Sequence, residues 1–156
     1  MDFDGDGTDE FTDADPATII SGGYSTPGVY IARLSVADQQ NQTTTAEVGI
    51  VVQDVVAMDT MFKDIWNSMN AALIAGDKAT ALSFLTARAQ DKFGPVFDVL
   101  LPHMADIVAT FTSFRGTHIA SGYAEYALNR TINGEDRLFL IYFLKDADGV
   151  WRLEAM

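Results

Sequence analysis

The densest chemistry in the sequence lies near its start. Asp2-x-Asp4-x-Asp6-Gly7 puts carboxylates at positions 1, 3 and 5 of a loop, with glycine at position 6 for a sharp turn. Thr8 falls at position 7, where a backbone carbonyl is wanted, Glu10 at position 9 and Asp13 at position 12. Hard oxygen donors in this order suit Ca²⁺, and clustered carboxylates without a cation repel one another. The expected metal ligands are Asp2, Asp4, Asp6, Thr8, Glu10 and Asp13. The competing reading is a solvated acidic turn, because Asp15-Pro16 and Gly22-Gly23 break any helix that would flank the loop.

Elsewhere reactive side chains are sparse. The absence of Cys excludes disulfides, thiol catalysis and thiolate metal sites. Isomerase-type proton transfer needs a carboxylate base and a donor such as Tyr in one pocket. Glu125 and Tyr123 share a strand parity opposite to Ala124, Tyr126 and Leu128, which turns Glu125 away from the apolar side. His118 has the Ala124 parity, which would allow it to face inward, whereas His103 sits beside Pro102; each reads more readily as a surface or structural residue than as a general base. The two histidines lie on different elements and do not make a metal pair. Trp66 and Trp151 read as packing residues, with sugar stacking as the alternative. No catalytic residue is assigned.

Two kinds of periodicity must position these groups. Tyr30, Ala32, Leu34 and Val36 alternate with Arg33 and Ser35, and Ala46, Val48, Ile50 and Val52 alternate with Glu47 and Gln53. Period two is the signature of a half-buried strand, and the polar run 38–42, with Asn41 suited to a left-handed conformation, predicts an antiparallel hairpin. From Met58 the period becomes helical. Met58, Met61, Phe62, Ile65, Met69, Ala72 and Leu73 form one stripe, capped by Asp59 or Thr60 and closed by Gly76. Asp77 is expected to cap a second helix with Leu82, Leu85, Ala89 and Phe93 inward, ending at Gly94-Pro95. A third stripe runs from Phe97 to Phe111, kinked or restarted at Pro102. Strands return at Ala124–Leu128, with Asn133-Gly134 as a hairpin turn. Leu138–Leu144, apolar on both faces, is expected to be a central strand covered on both sides, and Asp146–Gly149 turns into a last strand.

Charge divides the chain in the same place. Of 22 acids, ten fall in residues 1–57 with one base, Arg33; the remainder carries twelve acids and nine bases. The change of charge and of period places a boundary near 54–57. A net charge of −12 excludes nucleic-acid binding and docking on anionic lipid. No apolar run approaches the roughly 20 residues of a membrane span, and no signal peptide opens the chain.

Two resemblances follow. Asp2-Phe-Asp-Gly-Asp-Gly7, Tyr24-Ser-Thr-Pro-Gly-Val-Tyr30 and Leu34-Ser-Val-Ala-Asp38 are similar to a polycystic-kidney-disease (PKD) type immunoglobulin-like repeat. This implies a β-sandwich in which the Tyr30 hydroxyl bonds nearby backbone. Met1 stands where the family has a core Trp, and the preceding strands are missing, so a fragment of a longer exported bacterial protein is expected, with an exposed sheet edge available for self-association. The acidic segment also resembles an EF-hand-type calcium loop ending in Asp instead of Glu. Trp66-x-x-Met69-x-x-Ala72-Leu-x-x-Gly76-Asp77-x-x-x-Ala81-Leu82, with Asp148-Gly-x-Trp151-Arg-Leu, resembles nuclear-transport-factor-2-like (cystatin-like) domains. That resemblance implies a cone between helices and sheet that binds small molecules in some members and catalyses in others.

The expected architecture has two parts. Residues 1–54 form an incomplete PKD-like, all-β immunoglobulin-like sandwich fragment bearing the acidic loop. Residues 58–156 form an α+β roll, helices followed by an antiparallel meander. The expected function is a non-catalytic extracellular or cell-surface module, stabilised by Ca²⁺, with a protein or polysaccharide partner and a secreted or surface location implied by the PKD resemblance. The alternative is small-ligand binding, or isomerase-like or cyclase-like chemistry, in the cone.

Overall fold

The computed structural model of the chain describes residues 1–13, 15 and 17–156. Pro16, invoked above as a helix breaker, lies outside them. The chain divides into two compact units, Met1–Asp54 and Val55–Met156.

The first unit is built on a hairpin of β1 (Gly28–Ala37) and β2 (Thr43–Val52), paired antiparallel from Gly28 opposite Val52 to Ala37 opposite Thr43. Asn41 turns the chain with φ 58°, and Asp38 Oδ1 accepts from the Gln40 and Gln42 amides. A polar side chain that bonds its own turn and tolerates positive φ is the reason Asn and Asp sit there. The Tyr30 hydroxyl donates to the Thr26 carbonyl at 2.7 Å, and its ring lies 4.3 Å from that of Tyr24. Asp2 pairs with Arg33 through both backbone bonds, so the acidic segment lies along β1 on the edge away from β2. Ala32 is the one apolar side chain of the hairpin in the buried class, whereas Val29, Val36 and Val51 are exposed.

In the second unit, α1 (Val55–Ile74) begins before the expected Asp59 or Thr60 cap. It buries Phe62, Trp66, Met69, Asn70 and Leu73, and Gly76 closes it at φ 77°. Asp77 caps α2 (Lys78–Ser83) by accepting from the Thr80 amide at 3.0 Å. The expected long second helix is instead two. The chain leaves α2 at Phe84, and Leu85 makes a parallel bridge to Leu153, with Thr86 N donating to Leu153 O and Leu153 N to Phe84 O, each at 2.9 Å. Thr86 then caps α3 (Ala87–Leu100), which runs through Gly94-Pro95 instead of ending there. Pro95 forfeits one helical hydrogen bond, and the burial of Phe93 and Phe97 on either side of it outweighs that loss. A 3₁₀ turn, Leu101–His103, carries Pro102 and leads into α4 (Met104–Val108).

The sheet is a meander in chain order: β3 (Phe111–Ile119), β4 (Tyr123–Ile132), β5 (Glu135–Lys145) and β6 (Trp151–Ala155). Asn133 at φ 54° and Gly134 at φ 80° make the tight β4–β5 turn. Ala124, Tyr126 and Leu128, with Ile141 and Phe143 across from them, face the helices and form one core with Phe62, Trp66, Met69 and Leu85. β5 is central, but the expectation that both its faces are covered is corrected: Leu138, Leu140 and Leu144, on the opposite parity, are exposed. Among the described residues no helix is long and apolar enough to cross a membrane.

Candidate functional site

Of the six residues expected around a cation, four converge. Asp2, Asp4, Asp6 and Glu10 each bring a carboxylate oxygen to within 4.8 Å of the others. Asp2 is only 3% exposed. Its two oxygens accept from the Gly5 amide at 2.6 Å and the Gly7 amide at 3.0 Å. Burial works against its charge, but those amides and Arg33 outweigh it and hold the carboxyl below its ordinary value. Asp4 and Asp6 accept from the amides of Asp6 and Thr8, and Glu10 from that of Phe3. Gly5 and Gly7 both have positive φ, and a Cβ at Gly5 would meet the Ile31 carbonyl oxygen at 2.9 Å, so the turn needs glycine there. Asp13 is not in the group. Its carboxylate takes the Asp15 amide and the Thr18 hydroxyl, 3.0 and 2.8 Å away. Around Ca²⁺, with oxygens at about 2.3–2.6 Å, two ligands lie at most about 5 Å apart, so the four carboxylates fit one ion, whereas the expected position-12 ligand does not join them.

In the second unit, Glu125 points away from the helices, as its parity requires. It accepts from the Thr117 hydroxyl at 2.7 Å, and this bond, with that of Tyr142, holds its carboxyl below the ordinary value. His118 is exposed, and not on the inner face that its parity allowed. A register shift between Gly116 and His118 sets it opposite Glu125, and it stacks on Tyr123 with ring centres 5.1 Å apart. One inserted residue moves a side chain to the other face. His103 is exposed on its 3₁₀ turn.

On the inner face Tyr126 is fully buried, and its hydroxyl donates to Asp59 Oδ1 at 2.7 Å. Asp59 Oδ2 takes Lys63 Nζ at 2.6 Å. Burial, then Asp59, push the Tyr126 hydroxyl well above its ordinary 10.0. The Lys63 and Tyr126 bonds hold Asp59 below its ordinary 3.8. Gly116 packs against this pair: a Cβ there would lie 3.3 Å from Tyr126 Cζ.

Beyond Phe62, between α1, α3, α4 and the sheet, lies a cavity of about 150 Å³. Trp66, Met69, Leu73, Phe97, Met104 and Leu128 supply much of its wall, and Trp66 stacks on Phe114 with centroids 4.9 Å apart. Two polar side chains, Asn70 and Arg130, join this lining, and among the described residues no Asp, Glu, His or Tyr side chain does. Asn70 is 5% exposed and donates from Nδ2 to the Trp66 carbonyl at 2.8 Å, one turn back along α1. Neither is among the site residues expected from the sequence. Arg130 is legible in the sequence, because it continues the inward parity of Ala124, Tyr126 and Leu128, whereas Asn70, one position beyond Met69, carries no such signal.

No family model, curated protein or solved structure matches the chain.

Proposed function

We propose that the chain is a non-catalytic binding module whose α+β unit holds a small ligand with an apolar body in the cavity between helices and sheet. The composition of the cavity lining carries this reading. A general acid or base must reach the reacting atoms, and among the described residues the cavity wall offers no carboxylate, histidine or phenol side chain. Glu125 and His118 sit on the other sheet face, and the Tyr126 hydroxyl is engaged with Asp59 away from the cavity. An apolar cavity of about this size has room for a molecule such as benzene. The nuclear-transport-factor-2-like resemblance supports the same use of the cone. The PKD-like resemblance, to which the Tyr30–Thr26 bond adds support, favours reading the first unit as an immunoglobulin-like fragment in an extracellular or surface protein with a protein or polysaccharide partner.

Trp66 lines the cavity and reports on it directly. In a Trp151→Phe background, which leaves Trp66 as the sole indole, 1-hexanol or toluene is expected to change Trp fluorescence saturably and to raise the melting temperature. Absence of a saturable change up to the solubility limit overturns the reading.

The convergence of Asp2, Asp4, Asp6 and Glu10 within 4.8 Å favours a second reading, for the first unit. We infer that these four, with the Thr8 carbonyl, hold Ca²⁺ and that the ion stabilises the loop against β1. At a hundredfold excess over Kd, such an ion adds about 2.7 kcal/mol. Calorimetric titration is expected to show one site, lost in Asp4→Asn/Asp6→Asn; no heat at millimolar Ca²⁺ sinks this assignment.

A further inference from the structure

We infer that the cavity ligand carries an anionic head, a short aliphatic or aromatic monocarboxylate, and that Arg130 is the residue that holds the carboxylate. The inference rests on the ligand-binding reading above and names the ligand class for it.

Arg130 sits at the end of the inward series on β4, half-buried, and contributes to the lining of an otherwise apolar cavity. Its Nε donates to Thr110 Oγ1 at 2.8 Å, and the Thr110 hydroxyl donates in turn to the Ile107 carbonyl at 2.6 Å. The guanidinium carbon lies 5.8 Å from the centre of the Phe111 ring. One edge of the guanidinium is thereby fixed and one face is covered. Among the described residues no carboxylate pairs with it, and its Nη groups donate to none of their oxygens.

The charge environment points the same way. Arg137 on β5 is directly opposite Arg130 in register. Like charges in opposed positions are destabilising, and only Arg137 has a counter-ion, Glu135 at 3.2 Å. Arg130 is therefore a cation with no counter-ion among the described residues, at the edge of an apolar cavity. The planar fork of a guanidinium matches a carboxylate with two parallel hydrogen bonds. A cationic ligand would meet repulsion here. A neutral one would leave the fork unused. The cavity, of about 150 Å³, sets the tail at roughly the size of benzene or a six-carbon chain.

Hexanoate and 1-hexanol share a tail and differ in the head, so their comparison at pH 7 in the Trp151→Phe protein isolates Arg130. Hexanoate is expected to bind about ten- to a hundredfold more tightly than hexanol, the range of a charge-assisted hydrogen bond. Arg130→Met is expected to abolish that preference while keeping hexanol affinity, which also shows that the variant is folded. Arg130→Lys is expected to retain part of it, and Arg115→Met, an equal charge change on exposed β3, all of it. Hexanol binding with no preference for hexanoate, or a preference that survives Arg130→Met, overturns the anion assignment alone. Failure of both ligands to bind overturns the ligand-binding reading itself.

Discussion

Phe62→Ala is expected to destabilise the α+β unit by about 3–5 kcal/mol, the range for removing a buried aromatic ring. Phe62 is fully buried on α1, and its ring is the junction of three others: Tyr126 at 5.6 Å, Phe143 at 4.8 Å and Trp151 at 4.9 Å. These belong to β4, β5 and β6, so one side chain joins the longest helix to three strands. Aromatic neighbours of fixed orientation collapse poorly into the space left behind, which places the cost towards the upper end. Domain stabilities are only about 5–15 kcal/mol, and each kcal/mol shifts the melting temperature by roughly 4 °C for a unit of this size. A drop exceeding roughly 12 °C in a Trp-fluorescence melt is therefore expected, since both tryptophans belong to this unit. Phe62→Leu is expected to cost much less. A drop of a few degrees for the alanine variant would show that the helix–sheet core is not organised around this ring.

The second large effect concerns Asp59 and Tyr126, and its content is an asymmetry. Asp59→Ala leaves the Tyr126 hydroxyl without an acceptor inside the core, at a cost of about 1–3 kcal/mol. Tyr126→Phe keeps the ring and leaves Asp59 with Lys63 at a partly exposed position, so its cost is expected to be nearer 1 kcal/mol. The double variant should cost less than the two singles together, because the second change removes a bond already lost. A Tyr126→Phe variant less stable than Asp59→Ala would reverse the assignment. The pair also sets a pH signature. Asp59, with its folded pKa lowered by Lys63 and Tyr126, contributes stability in full above its unfolded value near 3.8 and loses it as pH falls through the lowered folded value. Tyr126, with its folded pKa raised, contributes in full below 10.0 and loses that contribution as pH rises from there towards the raised value. The same-sign shift at Tyr142 adds to the alkaline loss. Denaturant midpoints measured across pH are expected to fall on both sides of a plateau, with part of the alkaline limb missing in Tyr126→Phe.

What the sequence made legible was whatever local chemistry decides. Asn41 and Asn133-Gly134 specify their turns within four residues, and both hairpins form where the pattern placed them. Asp77 caps α2 because its acceptor and the Thr80 amide are neighbours in any helical start. The break between α2 and α3 was not legible, because its cause is Leu153, 68 residues away along the chain from Leu85. Pro95 misled for a related reason: the burial that carries α3 through it belongs to the whole unit. His118 was turned outward by one irregular residue in β3, which no count of parity from Gly122 could reveal. Four of the six acidic-loop residues came together because Asp2, Asp4, Asp6 and Glu10 bond amides within the same short segment, whereas Asp13 is drawn to Thr18. The cavity groups depend on which helix face meets which strand, and Asn70 and Arg130 acquire their meaning only there.

The joint at Leu85 has a kinetic consequence. Because the α2–α3 junction completes its hydrogen bonds with β6, these segments cannot open separately without exposing the amides of Thr86 and Leu153 together. Their hydrogen exchange is thus tied to one opening event, and the same event frees the strand edge beside β5. Closing the roughly 70-residue loop between Leu85 and Leu153 costs more chain entropy than closing the tight β4–β5 turn. The β4–β5 turn is expected to form first and the Leu85–Leu153 contact to lock the helices onto the sheet afterwards; a higher φ-value at Leu153 than in the β4–β5 turn would reverse that order.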